Sequence, residues 1–101
     1  MKKIYIFSYS DATGGRDVVK NWLNKEPLVT HWRYDMPHCF YIVSEATANV
    51  LSKSFMDFNG KKGRHLIAEI TDNRQGLLTP SSWFLMKNKK QAPKEITKSS
   101  E

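Results

Sequence analysis

Apolar and polar positions along this chain repeat with two different periods, and the switches between them mark out its elements. Lys3-Ile4-Tyr5-Ile6-Phe7-Ser8-Tyr9 is apolar on both faces and too short for a helix, which predicts a strand inside a sheet. Gly14-Gly15 opens a helix from about Arg16 to Lys25; Val18, Val19, Trp22 and Leu23 form its apolar stripe and Pro27 ends it. Leu28 to Tyr34 reads as a second strand, with Thr30, Trp32 and Tyr34 on one face and Val29, His31 and Arg33 on the other. Asp35-Met36-Pro37-His38 is a turn, and Cys39-Phe40-Tyr41-Ile42-Val43 returns as a third strand. So short a connection makes the two an antiparallel hairpin. Ser44 to Asn59 predicts a second helix, capped by Ser44 or Thr47 and stopped by Asn59-Gly60, with Val50, Leu51, Ser54, Phe55 and Phe58 at helical spacing. After the basic loop Lys61-Lys62-Gly63-Arg64, residues 65–71 form a fourth strand.

A tailpiece follows. Leu77-Leu78 could add a short extended stretch, and Thr79-Pro80 reads as the cap and first turn of a helix from Ser81 to about Lys87. Its large apolar groups, Trp83, Phe84 and Met86, either close one end of the domain or pack on a second subunit. The order strand, helix, strand, strand, helix, strand predicts an α+β fold, a ferredoxin-like βαββαβ sandwich with a C-terminal strand and short-helix appendage. Residues 1–88 form the single domain and 89–101 a disordered basic tail.

Composition narrows the partners. No apolar run approaches the roughly 20 residues that span a bilayer, so a membrane partner is not expected. Cys39 is the only cysteine, so no internal disulfide can form and a cytoplasmic location is the simplest expectation. The net charge of +6 favours an acidic partner, nucleic acid first. Five lysines against two glutamates from Lys87 to Glu101 account for half of it, which leaves the folded part mildly basic.

Several residues carry candidate chemistry. Asp11 and Asp17 flank the glycines and could share a cation, or serve as caps and turn residues. Gly14-Gly15 could cradle a phosphate at a helix start but lacks the spacing of the Gly-rich phosphate motifs; a plain tight turn is the other reading. His31, Arg33 and His38 gather on one hairpin. A histidine there could act as general base on an RNA hydroxyl, but spacing identifies no second partner. Phosphate contacts would come from Lys61, Lys62, Arg64 and Arg74, with Arg16, Lys20 and Arg33 further off.

The ordered set comprises the first strand with its polar end, Trp32-x-Tyr34, Phe40-Tyr41-Ile42-Val43, the second helix, Leu66-Ile67-Ala68-Glu69-Ile70-Thr71, and Asn73-Arg74-Gln75-Gly76-Leu77-Leu78 with Trp83. It resembles the small SinR-like proteins, relatives of the VapD-type ribonucleases and of the small non-integrase subunit of CRISPR adaptation complexes. The likeness runs over roughly Lys3 to Asn88. It implies a ferredoxin-like homodimer meeting through the C-terminal strand segment, with Leu77, Leu78, Trp83 and Met86 at the interface, and it suggests nucleic-acid binding. In nuclease members of the wider group, an aspartate ending the first strand after an aromatic residue holds a divalent metal across the dimer. Here Ser10 follows Tyr9 and the carboxylate comes one place later, at Asp11, and one residue along a strand reverses a side chain.

The expected function is therefore a dimeric protein that binds nucleic acid or a nucleic-acid-processing protein, without catalysis or cofactor of its own. The alternatives are an endonuclease using Mg held by Asp11 across the dimer, and a protein-interaction inhibitor module of phage or bacterial origin.

Overall fold

In the computed structural model, which describes residues 1–91, the first strand β1 (Lys3–Tyr9) lies inside a four-stranded sheet. It sits between β3 (Cys39–Ser44) and β4 (His65–Ile70), with β2 (Val29–Met36) beyond β3. Every pairing is antiparallel. The inner position explains why β1 is apolar on both sides: Tyr5, Phe7 and Tyr9 enter one apolar layer, Ile4 and Ile6 the other.

Helices α1 (Arg16–Lys25) and α2 (Ala48–Asn59) cover the first face. Val19, Trp22 and Leu23 of α1 and Leu51 and Phe55 of α2 pack on Phe7, Phe40 and Ile42. Trp22 is core, as its place in the stripe predicts, and its indole N–H reaches the Ser54 hydroxyl at 2.9 Å, which in turn bonds Glu26. Helix α2 begins at Ala48 rather than Ser44. The buried Ser44 hydroxyl instead closes β3, donating to the Leu28 carbonyl at 2.7 Å and accepting from the Ala46 amide at 3.0 Å. Thr47 caps α2 by accepting from the Val50 amide at 3.2 Å.

Strand β2 departs from simple alternation. Its register against β3 slips between Val29 and His31 and again between Tyr34 and Met36, so Thr30 and Asp35 are extra residues in the ladder. The first bulge returns Val29 to the face of Trp32, against the expectation that it shares His31's side. The second aims Asp35 at the start of α3 (Pro80–Asn88).

The third helix covers the opposite face of the sheet, where Leu85 and Met86 join Ile4, Tyr41 and Val43. The tailpiece therefore closes its own domain. Met86, expected at a dimer interface, is 4% exposed and is held inside its own chain; Trp83 packs half-buried beside it. Leu77-Leu78 forms no strand, because Leu78 turns into this apolar layer while Leu77 stays 97% exposed. Lys89 ends the helix in a left-handed conformation, and the Gln91 amide donates to the Trp32 carbonyl at 2.8 Å. The first residues of the expected tail are thus held on β2; residues 92–101 lie outside the described residues. Among the described residues, no helix is long and apolar enough to cross a membrane.

Candidate nucleic-acid interface

Three loops converge where β1 ends. Ser10, extended after Tyr9, binds both ways to the start of β4: its amide donates to the Arg64 carbonyl at 3.0 Å and its hydroxyl accepts the Arg64 amide at 3.1 Å. Residues Asp11–Thr13 then make one turn of 3-10 helix, with the buried Thr13 hydroxyl returned to the Ser10 carbonyl at 2.7 Å. Asn59, the last residue of α2, ties the basic loop to this turn. Its amide donates to the carbonyls of Thr13 at 3.3 Å and Lys62 at 3.0 Å, and its oxygen accepts the Lys61 amide at 3.0 Å. Gly63 closes the contact: a Cβ there would lie 2.4 Å from the Thr13 nitrogen.

The third loop is the turn between β2 and β3. The Tyr9 amide donates to the His38 carbonyl at 3.1 Å, and the His38 imidazole Nε2 sits 2.6 Å from Asp11 Oδ1. Ending β1 at Tyr9 thus brings the displaced carboxylate to a partner on another loop. Behind the pair, the Tyr9 ring lies 5.5 Å from the imidazole, and the Arg16 guanidinium stacks 4.4 Å from the Tyr34 ring. Burial pushes the Tyr9 hydroxyl up, with Arg16 partly offsetting it.

Arg16, Lys61, Lys62 and Arg64, scattered in the sequence, therefore share one exposed end of the molecule with Asp11 and His38. Gly14 and Gly15 turn the chain into α1, whose start has no side-chain cap and adds partial positive charge there. Asp17 is exposed in the first turn of α1. Lys20 is half-buried one turn further along and engaged in contacts of its own. Arg74 lies at the other end of the sheet, its guanidinium donating to the Thr71 carbonyl at 3.0 Å.

Arg33 leaves the candidate set. It is 8% exposed beneath α3 and donates to the Thr79 hydroxyl at 3.3 Å, so it has no surface to offer a phosphate. His31 does not join His38 either. It lies half-buried on β2, where burial and the charge of Lys2 lower its pKa. Tyr41 and Tyr5 are buried, and burial drives the Tyr41 hydroxyl up to about 12. Cys39 is buried with its thiol pushed up for the same reason. The pairing of Asp11 with His38 is what sequence reasoning missed, since nothing in their spacing links them.

A hard cation such as magnesium takes several oxygen ligands. Asp11 is a lone carboxylate already engaged by His38, and among the described residues no group of three or more His, Cys, Asp or Glu side chains could hold a metal ion. One chain by itself does not fit the metal that the resemblance implies.

No protein-family model matches the chain, and no curated protein or solved structure matches it.

Proposed function

We propose that the chain binds the phosphate backbone of nucleic acid with the loop end of its sheet. The observation that carries this reading is the convergence of Arg16, Lys61, Lys62 and Arg64 on one end, the basic loop being anchored through Asn59 and Gly63. Residues 92–101 carry two lysines and two glutamates, so the surplus of +6 lies within residues 1–91, half of it as Lys87, Lys89 and Lys90 at the end of α3. A basic end backed by a rigid turn suits sequence-tolerant phosphate contacts, which position a polymer without reading it.

The architecture supports the ferredoxin-like reading, with elements in βαββαβ order and strands in the order β2-β3-β1-β4. Self-association draws support from the outer edge of β4, where Leu66 is 64% exposed, and from Leu77, 97% exposed in the segment that follows the strand.

The test is the salt dependence of binding to a single-stranded oligonucleotide. Replacing Lys61 and Lys62 together by alanine is expected to weaken binding and lower the slope of log K against log salt by about 0.7 for each phosphate no longer neutralised. Binding that is absent at low salt, or a slope that the double variant leaves unchanged, removes the proposal.

A further inference from the structure

We propose that His38, oriented by Asp11, is the general base of a metal-independent cleavage of single-stranded RNA at this end of the sheet. The inference rests on the nucleic-acid reading above and goes past the non-hydrolytic binder expected from the sequence.

The imidazole stands in an unusual place. Pro37-His38 forms the two-residue turn between β2 and β3, and His38 has φ of 62°. After a proline, the position with positive φ is one that glycine fills most readily; Lys61 and Lys89 share such a φ, so the backbone fixes where the ring stands and the pairing with Asp11 is what sets it apart. The turn holds the ring half-exposed at the tip of the hairpin, backed by Tyr9 and fixed at its Nε2 by Asp11. Both members of the pair are open to solvent, with side-chain exposures of 48% and 85%, and only the face of the imidazole against Tyr9 touches the core.

The contact also sets the tautomer. An ionised carboxylate only accepts, so the 2.6 Å contact places a hydrogen on Nε2, and in the neutral imidazole Nδ1 then carries the lone pair. A base oriented by a carboxylate is the arrangement that activates a hydroxyl nucleophile. The hydroxyl that a bound nucleic acid itself supplies is the ribose 2′-OH.

In the proposed step, Nδ1 of His38 takes the 2′-OH proton and the 2′-oxygen attacks the adjacent phosphorus. The new P–O2′ bond forms as the P–O5′ bond breaks, and the departing 5′-oxygen takes a proton from water. The imidazolium returns its proton to solvent, leaving a 2′,3′-cyclic phosphate and a 5′-hydroxyl. Arg16, stacked on the Tyr34 ring, and Arg64, whose backbone is tied to Ser10 beside Asp11, supply positive charge for the oxygens of the pentavalent phosphorus. No oxidant or other reactant is consumed. DNA, which lacks the 2′-hydroxyl, is bound and not cut.

The experiment compares the full chain with His38→Gly and Asp11→Asn on single-stranded RNA and DNA oligonucleotides of one sequence, in EDTA. Glycine adopts the backbone of position 38 without strain, so the first variant keeps the turn. The expected result is EDTA-resistant cleavage of RNA alone, with cyclic phosphate ends. His38→Gly is expected to slow it by about 10²–10⁴-fold, and added imidazole to restore part of the rate. As a positioning residue, Asp11 is expected to act on kcat: Asp11→Asn lowers it with KM unchanged, and Asp11→Glu recovers part. Binding of DNA without cleavage of RNA overturns this inference alone, as does cleavage that EDTA abolishes or that His38→Gly leaves intact. Failure to bind either oligonucleotide overturns the binding reading itself.

Discussion

The Asp35 carboxylate accepts a 2.7 Å hydrogen bond from the hydroxyl of Ser82, and through it the sheet takes hold of its third helix. The same oxygen accepts the Thr79 amide at 2.9 Å and the Thr79 hydroxyl at 3.1 Å. Thr79 stands at the N-cap of α3 but its side chain does not cap that helix. A carboxylate from the bulge of β2 sits beside that helix start instead, placing negative charge where the helix start favours it. Arg33 donates to the same Thr79 hydroxyl from below, while its Nε atom has no partner. The apolar seat of Leu85 and Met86 and this polar latch thus hold the helix at different points along its length.

Removing the latch is expected to cost stability in a pH-dependent way. Burial pushes the Asp35 carboxyl up, but hydrogen bonds from Ser82 and Thr79 and the charge of Arg33 outweigh it and hold the group below its usual value of 3.8. A carboxyl depressed in the folded state contributes its stability in full above the unfolded value and loses it as pH falls through the folded one. Asp35→Asn should therefore be less stable than the native chain at pH 7, by about 1–3 kcal/mol. The difference should narrow below about pH 4 as the native carboxyl protonates. Urea unfolding of both chains from pH 7 to pH 3 measures this, and a gap that does not change with pH removes the assignment.

Gly63 carries a second expectation. It has φ of 69°, and a Cβ on it would lie 2.4 Å from the Thr13 nitrogen and 2.7 Å from the Ala12 carbonyl carbon, both backbone atoms that cannot rotate aside. Gly63→Ala is expected to push the basic loop off the Asp11–Thr13 turn, with a loss of about 1–3 kcal/mol. Oligonucleotide affinity should fall with it, because Arg64 and Lys62 lose their common footing. Thermal unfolding and a binding titration on the same variant read the two effects. An alanine variant that matches the native chain in both would show that the loop is not anchored here.

Where pattern and propensity agree, the elements were legible: α1 spans Arg16–Lys25 as its stripe and the following proline predict, and β1 is an inner strand as its two-sided apolar content requires. The α+β class and the antiparallel sheet follow from that. What periodicity could not carry was any residue whose role depends on a distant partner. Ser44 looks like a helix cap until the Leu28 carbonyl claims its hydroxyl. Arg33 looks like a surface cation until α3 is laid over it. The bulges of β2 are invisible because an extra residue leaves no mark in the composition, and without them Asp35 reads as one more turn residue. The basic loop was legible as a candidate; its meeting with Asp11 and His38 was not, although histidine following proline in a two-residue turn is the one local feature that singles out position 38.

His65 offers a test of the opposite face. Its ring stacks on Phe7 at 5.6 Å and 10°, and its Nε2 lies 2.7 Å from the Ser52 hydroxyl. Burial lowers its pKa, so the unfolded chain binds a proton more readily than the folded one. The stability that follows is complete above the ordinary histidine value of about 6.5 and is lost as pH falls through the folded value. Replacing His65 by phenylalanine keeps the stack and removes the titration. The native chain should lose stability as pH falls below about 6.5 and the variant should lose less of it; identical slopes for the two proteins refute the assignment.

The exposed and buried members of the expected interface separate cleanly by substitution. Leu77 touches solvent over almost its whole surface, at 97%, so Leu77→Asp should leave the fold within about 0.5 kcal/mol of the native chain. Met86 is 4% exposed in its own apolar layer, and Met86→Ala should cost about 2–5 kcal/mol whatever the oligomeric state. If two copies meet through the segment after β4 that exposes Leu77, Leu77→Asp places a charge in their contact, and sedimentation should shift from dimer to monomer at unchanged thermal stability. A native chain that sediments as a monomer, or a dimer that the charge at position 77 leaves intact, removes this segment as the meeting surface. Met86→Ala separates the two effects: it is expected to lower the melting temperature without altering the mass of the species that remains folded.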